Sequence, residues 1–481
     1  MIIASVVAAP SCLPLPDVRY PSGALELPLR FDPGEVPARA LVVPGYDEPS
    51  TPDRYDRQTT IRFGVDEPAE TIIVAVPGLF GGAMQFAPLA RRLVAAVPGL
   101  HVWAVDRRAN ALEDRSSVER VLRTGDVADV VRTFFGSDDT PPSFAQPDRA
   151  ELAFVKEWDL EVHLRDLDEV ILEAARTAPR VILLGHSLGA TQVAVYAAWT
   201  GGRGPSLLDG LVLVDGAPGR TGAYGLEQGP RVLGFPVILP SREALQSGQA
   251  RPWRTVGTGG ADFARRQGAA LLALLAPDEP APAHASDIPF TNLAFAGRLH
   301  DDQYGALRPF QASLGIATNA ELDGNLSAFI LGGHWSARSA SIVGVAPGAE
   351  RVGWAAGDPR LERTDALEYY ALWSDPVSDP SEWYMPTALL LDLAQLPPDL
   401  RGLDRFEPMR SVNVPTLAVG SDRGLLRGVE SFAGYADQRL GTPFSVTILS
   451  GLTHADLLSA RDNPLVPLLA RWSALVPIGT R

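Results

Sequence analysis

The sequence predicts an α/β fold: a mostly parallel sheet flanked by helices and interrupted by one large insertion. Three observations carry this. Short β-branched runs alternate with amphipathic helices from about residue 59 to 215, that alternation stops over 216–413, and it returns from 414 to the end of the chain.

The strands expected in the first block are Thr59–Val65, Thr71–Val76, His101–Asp106, Arg180–Gly185 and Leu211–Asp215. Met84–Ala96 and Leu160–Arg176 read as helices between them. The second carries Leu160, Leu164, Leu167, Val170, Ile171 and Ala174 on one face, with acidic residues on the other. A smaller insertion precedes it, with an amphipathic stretch around Val118–Phe135 and a proline-rich loop over Thr140–Pro147. In the last block, Val414–Gly420 and Phe444–Leu449 read as strands and Pro464–Leu475 as the closing helix. Two strands make a poor domain alone, so the second block completes the sheet of the first. The chain thus divides into an N-terminal segment with a leading strand (1–58), the first part of the core (59–215), an insertion of nearly 200 residues (216–413) and the second part of the core (414–481).

Composition narrows the function. At 46% hydrophobic and 21% charged, the 481 residues can bury a sizeable core, and wholesale disorder is excluded. A net charge of −15 repels phosphate backbones and anionic lipid surfaces, so no nucleic-acid partner is expected. The single cysteine, Cys12, excludes an intramolecular disulfide and any cysteine-rich metal site. No apolar run reaches the roughly 20 residues of a membrane-spanning helix. Residues 2–9, IIASVVAA, followed by Pro10, Ser11 and Cys12, have two readings. They are the tail of an export signal, which would make the protein secreted, periplasmic or lipid-anchored at Cys12, or an ordinary apolar segment of a cytoplasmic protein.

The most informative residues are Gly185-His186-Ser187-Leu188-Gly189, after the apolar run Val181–Leu184 and before the helix-compatible Ala190–Ala194. This is G-x-S-x-G with a strand before it and a helix after it. The glycines let backbones meet at a very sharp turn, and Ser187 is held with its hydroxyl exposed above the strand ends. At the start of the helix, the free N–H of Leu188 is aimed where an oxyanion would develop.

With this motif, over about 59–215 and 414–476, the sequence resembles the α/β-hydrolase superfamily, of the serine esterase and lipase type. The resemblance implies a Ser-His-acid triad in chain order and an insertion that caps the site. It implies a histidine after the last strand, which His454 in Gly451-Leu452-Thr453-His454-Ala455 supplies as general base. For the acid, Asp422 in Gly420-Ser421-Asp422-Arg423 is preferred. Asp215, at the end of Leu211–Asp215, is the alternative, otherwise fixing the turn into the insertion. The second oxyanion donor should come from Pro77-Gly78-Leu79-Phe80-Gly81-Gly82, where Leu79 matches the donating position and Phe80 is an alternative. Asp106 matches a structural aspartate that pairs with arginine and caps loop amides. His186 is expected to point away from the nucleophile.

The insertion holds Trp253, Trp335, Trp354, Trp373 and Trp383, with Tyr369, Tyr370 and Tyr384. These either line a broad apolar acyl or aryl pocket or form the insertion's own core. His300-Asp301-Asp302 reads as an exposed polar turn before it reads as a cation site. No cofactor and no metal are implied by any motif. The function expected is cleavage of small-molecule or polymeric carboxylic esters through an acyl-enzyme. An acyltransferase, amidase or lactonase on the same triad, or a non-catalytic binding protein on a hydrolase fold, are the alternatives.

Overall fold

Apolar side chains alternate between two faces along each central strand. In β3 (Thr71–Val76), Ile72, Val74 and Val76 enter one apolar cluster, while Ile73 and Ala75 enter another on the opposite side. The same period of two runs through β5 (Arg180–His186) and β6 (Gly210–Val214). A sheet buried on both faces follows, as expected for parallel strands covered by helices.

These relations come from a computed structural model of the chain, which describes residues 28–478 apart from 138, 145–147, 149, 219–230, 233–234, 237–238, 255–260, 305–310, 324–339, 376, 398–399, 401–402 and 440–441. The sheet also contains β1 (Ala38–Pro44), β2 (Arg57–Phe63), β4 (Leu100–Asp106), β7 (Thr416–Arg423) and β8 (Phe444–Thr453). Its spatial order is β1-β2-β4-β3-β5-β6-β7-β8. Only β1 with β2 and β2 with β4 pair antiparallel; the other five pairings are parallel. The segments expected from periodicity therefore form one sheet, with β6 and β7 adjacent although about 200 residues separate them in sequence. This is an α/β-hydrolase fold.

Nine helices matter below, and they are numbered in chain order. They are α1 (Ala87–Ala96), α2 (Ser116–Thr124), α3 (Leu160–Thr177), α4 (Leu188–Ala197), α5 (Ala261–Leu275), α6 (Asn292–His300), α7 (Ala366–Trp373), α8 (Thr387–Gln395) and α9 (Leu465–Leu475). Helix α3 begins at Asp159, whose carboxylate accepts from Val162 N at 3.1 Å, and it lays its predicted apolar stripe on one face of the sheet beside α4. Helices α1 and α9 cover the other face. Residues between β6 and β7 build a third cluster from α5, α6 and α7, which α2 and its neighbours join. The far end of the same segment, Met385 to Val412, turns back and packs with α3 and α4 against the sheet.

The export segment and Cys12 lie outside the described residues. Among those described, no helix is long and apolar enough to cross a membrane. Leu183, fully buried at the centre of β5, tests the packing. Leu183→Ala should cost about 2–5 kcal/mol of stability, read as a lower midpoint in urea unfolding.

Candidate active site

Parallel strands place their carboxyl ends at one edge, and those ends carry the residues singled out by the sequence. Ser187 follows β5 with φ 59° and ψ −125°, a conformation that costs a non-glycine residue about 1–3 kcal/mol. The turn is held by Ser187 N–H donating to Val214 O at 2.8 Å. A Cβ at Gly185 would strike the backbone of Gly189, and one at Gly189 would strike the carbonyls of Val76 and Pro77. Both glycines are therefore required by close backbone approach. The Ser187 side chain is buried, and among the described residues its Oγ makes no hydrogen bond.

His454 directly follows β8, and its Nδ1–H donates to Asp215 Oδ2 at 2.6 Å. Asp215 is fully buried at φ 48° and also accepts from Leu425 N and Leu426 N, each at 2.8 Å. Three donors converge on this carboxylate, and among the described residues no arginine or lysine pairs with it. Gly424 leaves room for this, because a Cβ there would sit 2.5 Å from Asp215 Oδ2.

The carboxylate against His454 is thus Asp215, and the preference for Asp422 is corrected. Strand β7 does not end at Gly420 but runs on to Arg423, with a register shift against β8 between Ser421 and Arg423. That shift turns Asp422 outward, where its exposed carboxylate accepts from Ser450 Oγ at 2.6 Å and Gly451 N at 2.7 Å. Asp215 does bind backbone N–H groups, but those of the turn after β7 rather than of the turn into the insertion.

His186 also departs from expectation. It shares the cavity with Ser187 and lies against His454, ring centroids 4.3 Å apart and planes tilted 33°. Its Nε2–H donates to the His454 carbonyl at 3.1 Å. Burial, with His454 adding to it, holds the His186 imidazole well below its ordinary 6.5, so it is neutral. On the other side, Asp456 accepts from Thr453 N at 3.0 Å, Ser313 Oγ at 2.6 Å and Thr364 Oγ1 at 2.8 Å. The His454 turn is therefore fastened to the residues between β6 and β7.

The loop after β3 runs beside the serine. A Cβ at Gly78 would lie 2.7 Å from Ser187 Cβ, so only glycine lets Leu79 and Phe80 come this close. Phe80 has φ 56°. The buried Arg107 holds the loop by donating to the carbonyls of Pro77 and, at 3.2 Å, Gly78; its Nη1 also pairs with buried Glu382 at 2.9 Å. Glu382 N in turn donates to Phe80 O at 2.9 Å. Neither Arg107 nor Glu382 carried a sequence signal, since each is an ordinary charge until the chain folds. Asp106 caps a loop amide as expected, Ala83 N at 2.6 Å, but among the described residues no arginine pairs with it. The arginines that follow it pair with Glu382 and, for Arg108, with Asp166 and Asp56.

A cavity of about 180 Å³ connects these parts. Ser187, His454, Leu79 and Phe80 line one portion, and Phe263, Arg266, His300, Tyr369 and Trp373 contribute from between β6 and β7. The insertion's aromatics divide between the two readings. Trp373 and Tyr369 face the cavity, whereas Trp253, Trp383, Tyr370 and Tyr384 belong to the insertion's core. Trp354 packs half-buried against that core, and Trp335 lies outside the described residues. His300, Asp301 and Asp302 are buried rather than an exposed turn, with Asp302 paired to Arg423 at 2.9 Å. Among the described residues, no group of three His, Cys, Asp or Glu is placed to hold a metal ion.

A family model described as alpha/beta hydrolase fold matches residues 71–238. A comparison with curated protein sequences found no match. Solved structures similar to this chain include a candidate lipase from Sulfolobus solfataricus, at 16% identity over 91% of this chain and 93% of that one, TM-score 0.49. A soluble variant of monoglyceride lipase from Saccharomyces cerevisiae matches at 11% identity over 95% and 100%, TM-score 0.41. Epoxide hydrolase A from Mycobacterium thermoresistibile matches at 14% over 92% and 100%, TM-score 0.40.

Burial raises the Asp106 carboxyl from an ordinary 3.8 to about 7, against the Ser378 and Ala83 hydrogen bonds that oppose the shift. Between those two values the folded chain keeps a proton that the unfolded chain has lost, so this group's stabilising effect fades as pH rises toward 7. Asp106→Asn cannot ionise. Its stability relative to the parent should grow from pH 4 to pH 7 and then level off in urea melts at stepped pH. The neutral buried His163 and His300 shift stability with the opposite sign, but equally in both proteins.

Proposed function

The chain has an α/β-hydrolase fold, and from that premise we propose that it is a serine hydrolase of the α/β-hydrolase superfamily that cleaves carboxylic esters through an acyl-enzyme. The observation that carries this reading is the 2.6 Å bond between His454 and Asp215, in the cavity that Ser187 enters from a strained elbow. A buried imidazole fixed through Nδ1 by a carboxylate presents Nε2 as a base.

In this mechanism Nε2 of His454 takes the Ser187 proton as Oγ attacks the ester carbonyl carbon. The negative charge moves to the carbonyl oxygen, where the N–H groups of Leu79 and Leu188 donate to it. Collapse breaks the carbon–oxygen bond, and His454 returns the proton to the departing alkoxide. Water then repeats the sequence on the acyl-serine, releasing the carboxylic acid and restoring the hydroxyl. Free active sites often hold the serine-to-imidazole contact open until substrate closes it, which accords with an unbonded Ser187 Oγ. Asp215 orients His454 and stabilises the imidazolium. Residues 216–413 serve as the cap that excludes water.

Ser187→Ala should abolish turnover of a p-nitrophenyl ester and labelling by a fluorophosphonate probe, while the protein still unfolds cooperatively. Near-parental turnover in this variant would refute the proposal. Asp215→Asn should lower kcat by about 10³–10⁴-fold, because the imidazole loses the acceptor that fixes its tautomer. Asp422→Asn should turn over at close to the parental rate. The reverse order of the two aspartate variants would return Asp422 to the acid's role.

A further inference from the structure

Arg266, on α5, lines the cavity that contains Ser187 and His454. It is 8% exposed, and among the described residues it forms no ion pair within 4.0 Å. Its hydrogen bond goes from Nη1 to the carbonyl of Leu299, in the last turn of α6. That uses one of the five N–H donors of a guanidinium. Asp262, one turn earlier on the same helix, and Tyr369 act on it only through space. The buried arginines nearer the oxyanion loop differ, because Arg107 and Arg108 each meet a carboxylate directly.

The rest of the lining sharpens the contrast. Of the twenty described residues around the cavity, Arg266 is the sole arginine or lysine, and none is Asp or Glu. His300, whose ring nitrogen meets the Arg266 carbonyl at 3.1 Å, is pushed down to about 3 by burial and by Arg266, so it is neutral. His186 is neutral as well. The walls are otherwise largely apolar, with Phe263, Tyr369, Leu372 and Trp373 among them. A buried cation facing a low-dielectric cavity with no counter-charge among the described residues of its lining carries an electrostatic deficit, and an anion entering the cavity relieves it. Guanidinium geometry matches a carboxylate through two parallel hydrogen bonds.

We infer that the substrate is an ester that also carries an ionised carboxylate, and that Arg266 binds this group and determines specificity for it. The inference rests on the serine-hydrolase reading of the same cavity. The carboxylate belongs either to the acyl part, as in a half-ester of a dicarboxylic acid, or to the alcohol part, as in an acyl ester of a hydroxy acid. The chemistry that Arg266 recognises is the same in both.

The test compares kcat/KM within two anionic series of graded chain length, p-nitrophenyl half-esters of linear dicarboxylic acids and acyl esters of 4-hydroxybenzoate, each against its neutral methyl-capped counterpart. The parent protein should prefer the anionic member of one series by at least tenfold at its best length, and the series concerned identifies which part bears the charge. Arg266→Gln should reduce that ratio at least tenfold, and Arg266→Lys should restore part of it. A ratio near one in the parent, or a ratio unchanged in Arg266→Gln, would overturn the inference. Fluorophosphonate labelling of Ser187 keeps the two readings apart: labelling with no anionic preference removes the Arg266 assignment alone. If Ser187 does not label, calorimetric titration of the parent with monomethyl glutarate and monomethyl adipate decides the anion site separately. Binding of either, weakened at least tenfold in Arg266→Gln, would uphold the site, and no binding of both would overturn it.

Discussion

The bond between Asp215 and His454 is the constraint on which the arrangement of this molecule depends. The two residues are 239 positions apart and meet only because β6 lies beside β7 and β7 beside β8. A carboxylate with no exposed surface must replace its lost hydration with donors, and Asp215 gathers the imidazole and two amides from the turn after β7. Reaching them requires φ 48° at Asp215, next to φ 59° at Ser187 at the end of the adjoining strand. Such conformations persist only where surrounding structure over-determines them. Here the buried apolar faces of β3, β5 and β6 supply that determination.

Close backbone approach is the second requirement, and it makes the insertion part of the site. Gly216 illustrates it: a Cβ there would collide with the Ser187 carbonyl, so the chain can leave β6 only through glycine. From that exit the chain comes back to the site at two fastenings. Glu382 holds Arg107 and the Phe80 carbonyl beside the serine, while Ser313 and Thr364 hold Asp456 beside the histidine. Both fastenings are buried, and breaking the charge pair in the first costs about 3–5 kcal/mol. Shifts of the residues between β6 and β7 would therefore be felt at both ends of the cavity.

The sheet was legible in the sequence because period-two runs and sharp turns are local signals. Seven of its eight strands were placed within a few residues, and β1 fell in the leading segment without defined ends. The elbow was legible for the same reason, since strand, G-x-S-x-G and helix are contiguous. The partner of His454 was not. Choosing between Asp215 and Asp422 depends on where β7 ends and on its register shift against β8, and no local pattern encodes a shift between strands. His186 was misread because a residue's facing at a strand end depends on how the following turn is wound. Arg107 and Glu382 gave no signal, because the two meet across 275 positions of sequence, and Arg266 gave none, because no local pattern marks a guanidinium without an ion pair among the described residues.

The placement of His186 bears on how His454 could hold a charge. Two imidazoles with ring centroids 4.3 Å apart would repel if both were protonated, by about 4 kcal/mol at an effective dielectric constant of 20. Burial removes that conflict by keeping His186 neutral, and its Nε2–H is directed to the carbonyl of His454 rather than to its ring. A proton arriving on His454 therefore faces a carboxylate through Nδ1 and an uncharged ring across the stack. The neighbour holds the His454 backbone without competing for a proton on its ring. An aromatic hydrocarbon at 186 would keep the stacking but release the carbonyl, and a permanently charged group would keep a donor but oppose the imidazolium. A neutral histidine meets both requirements.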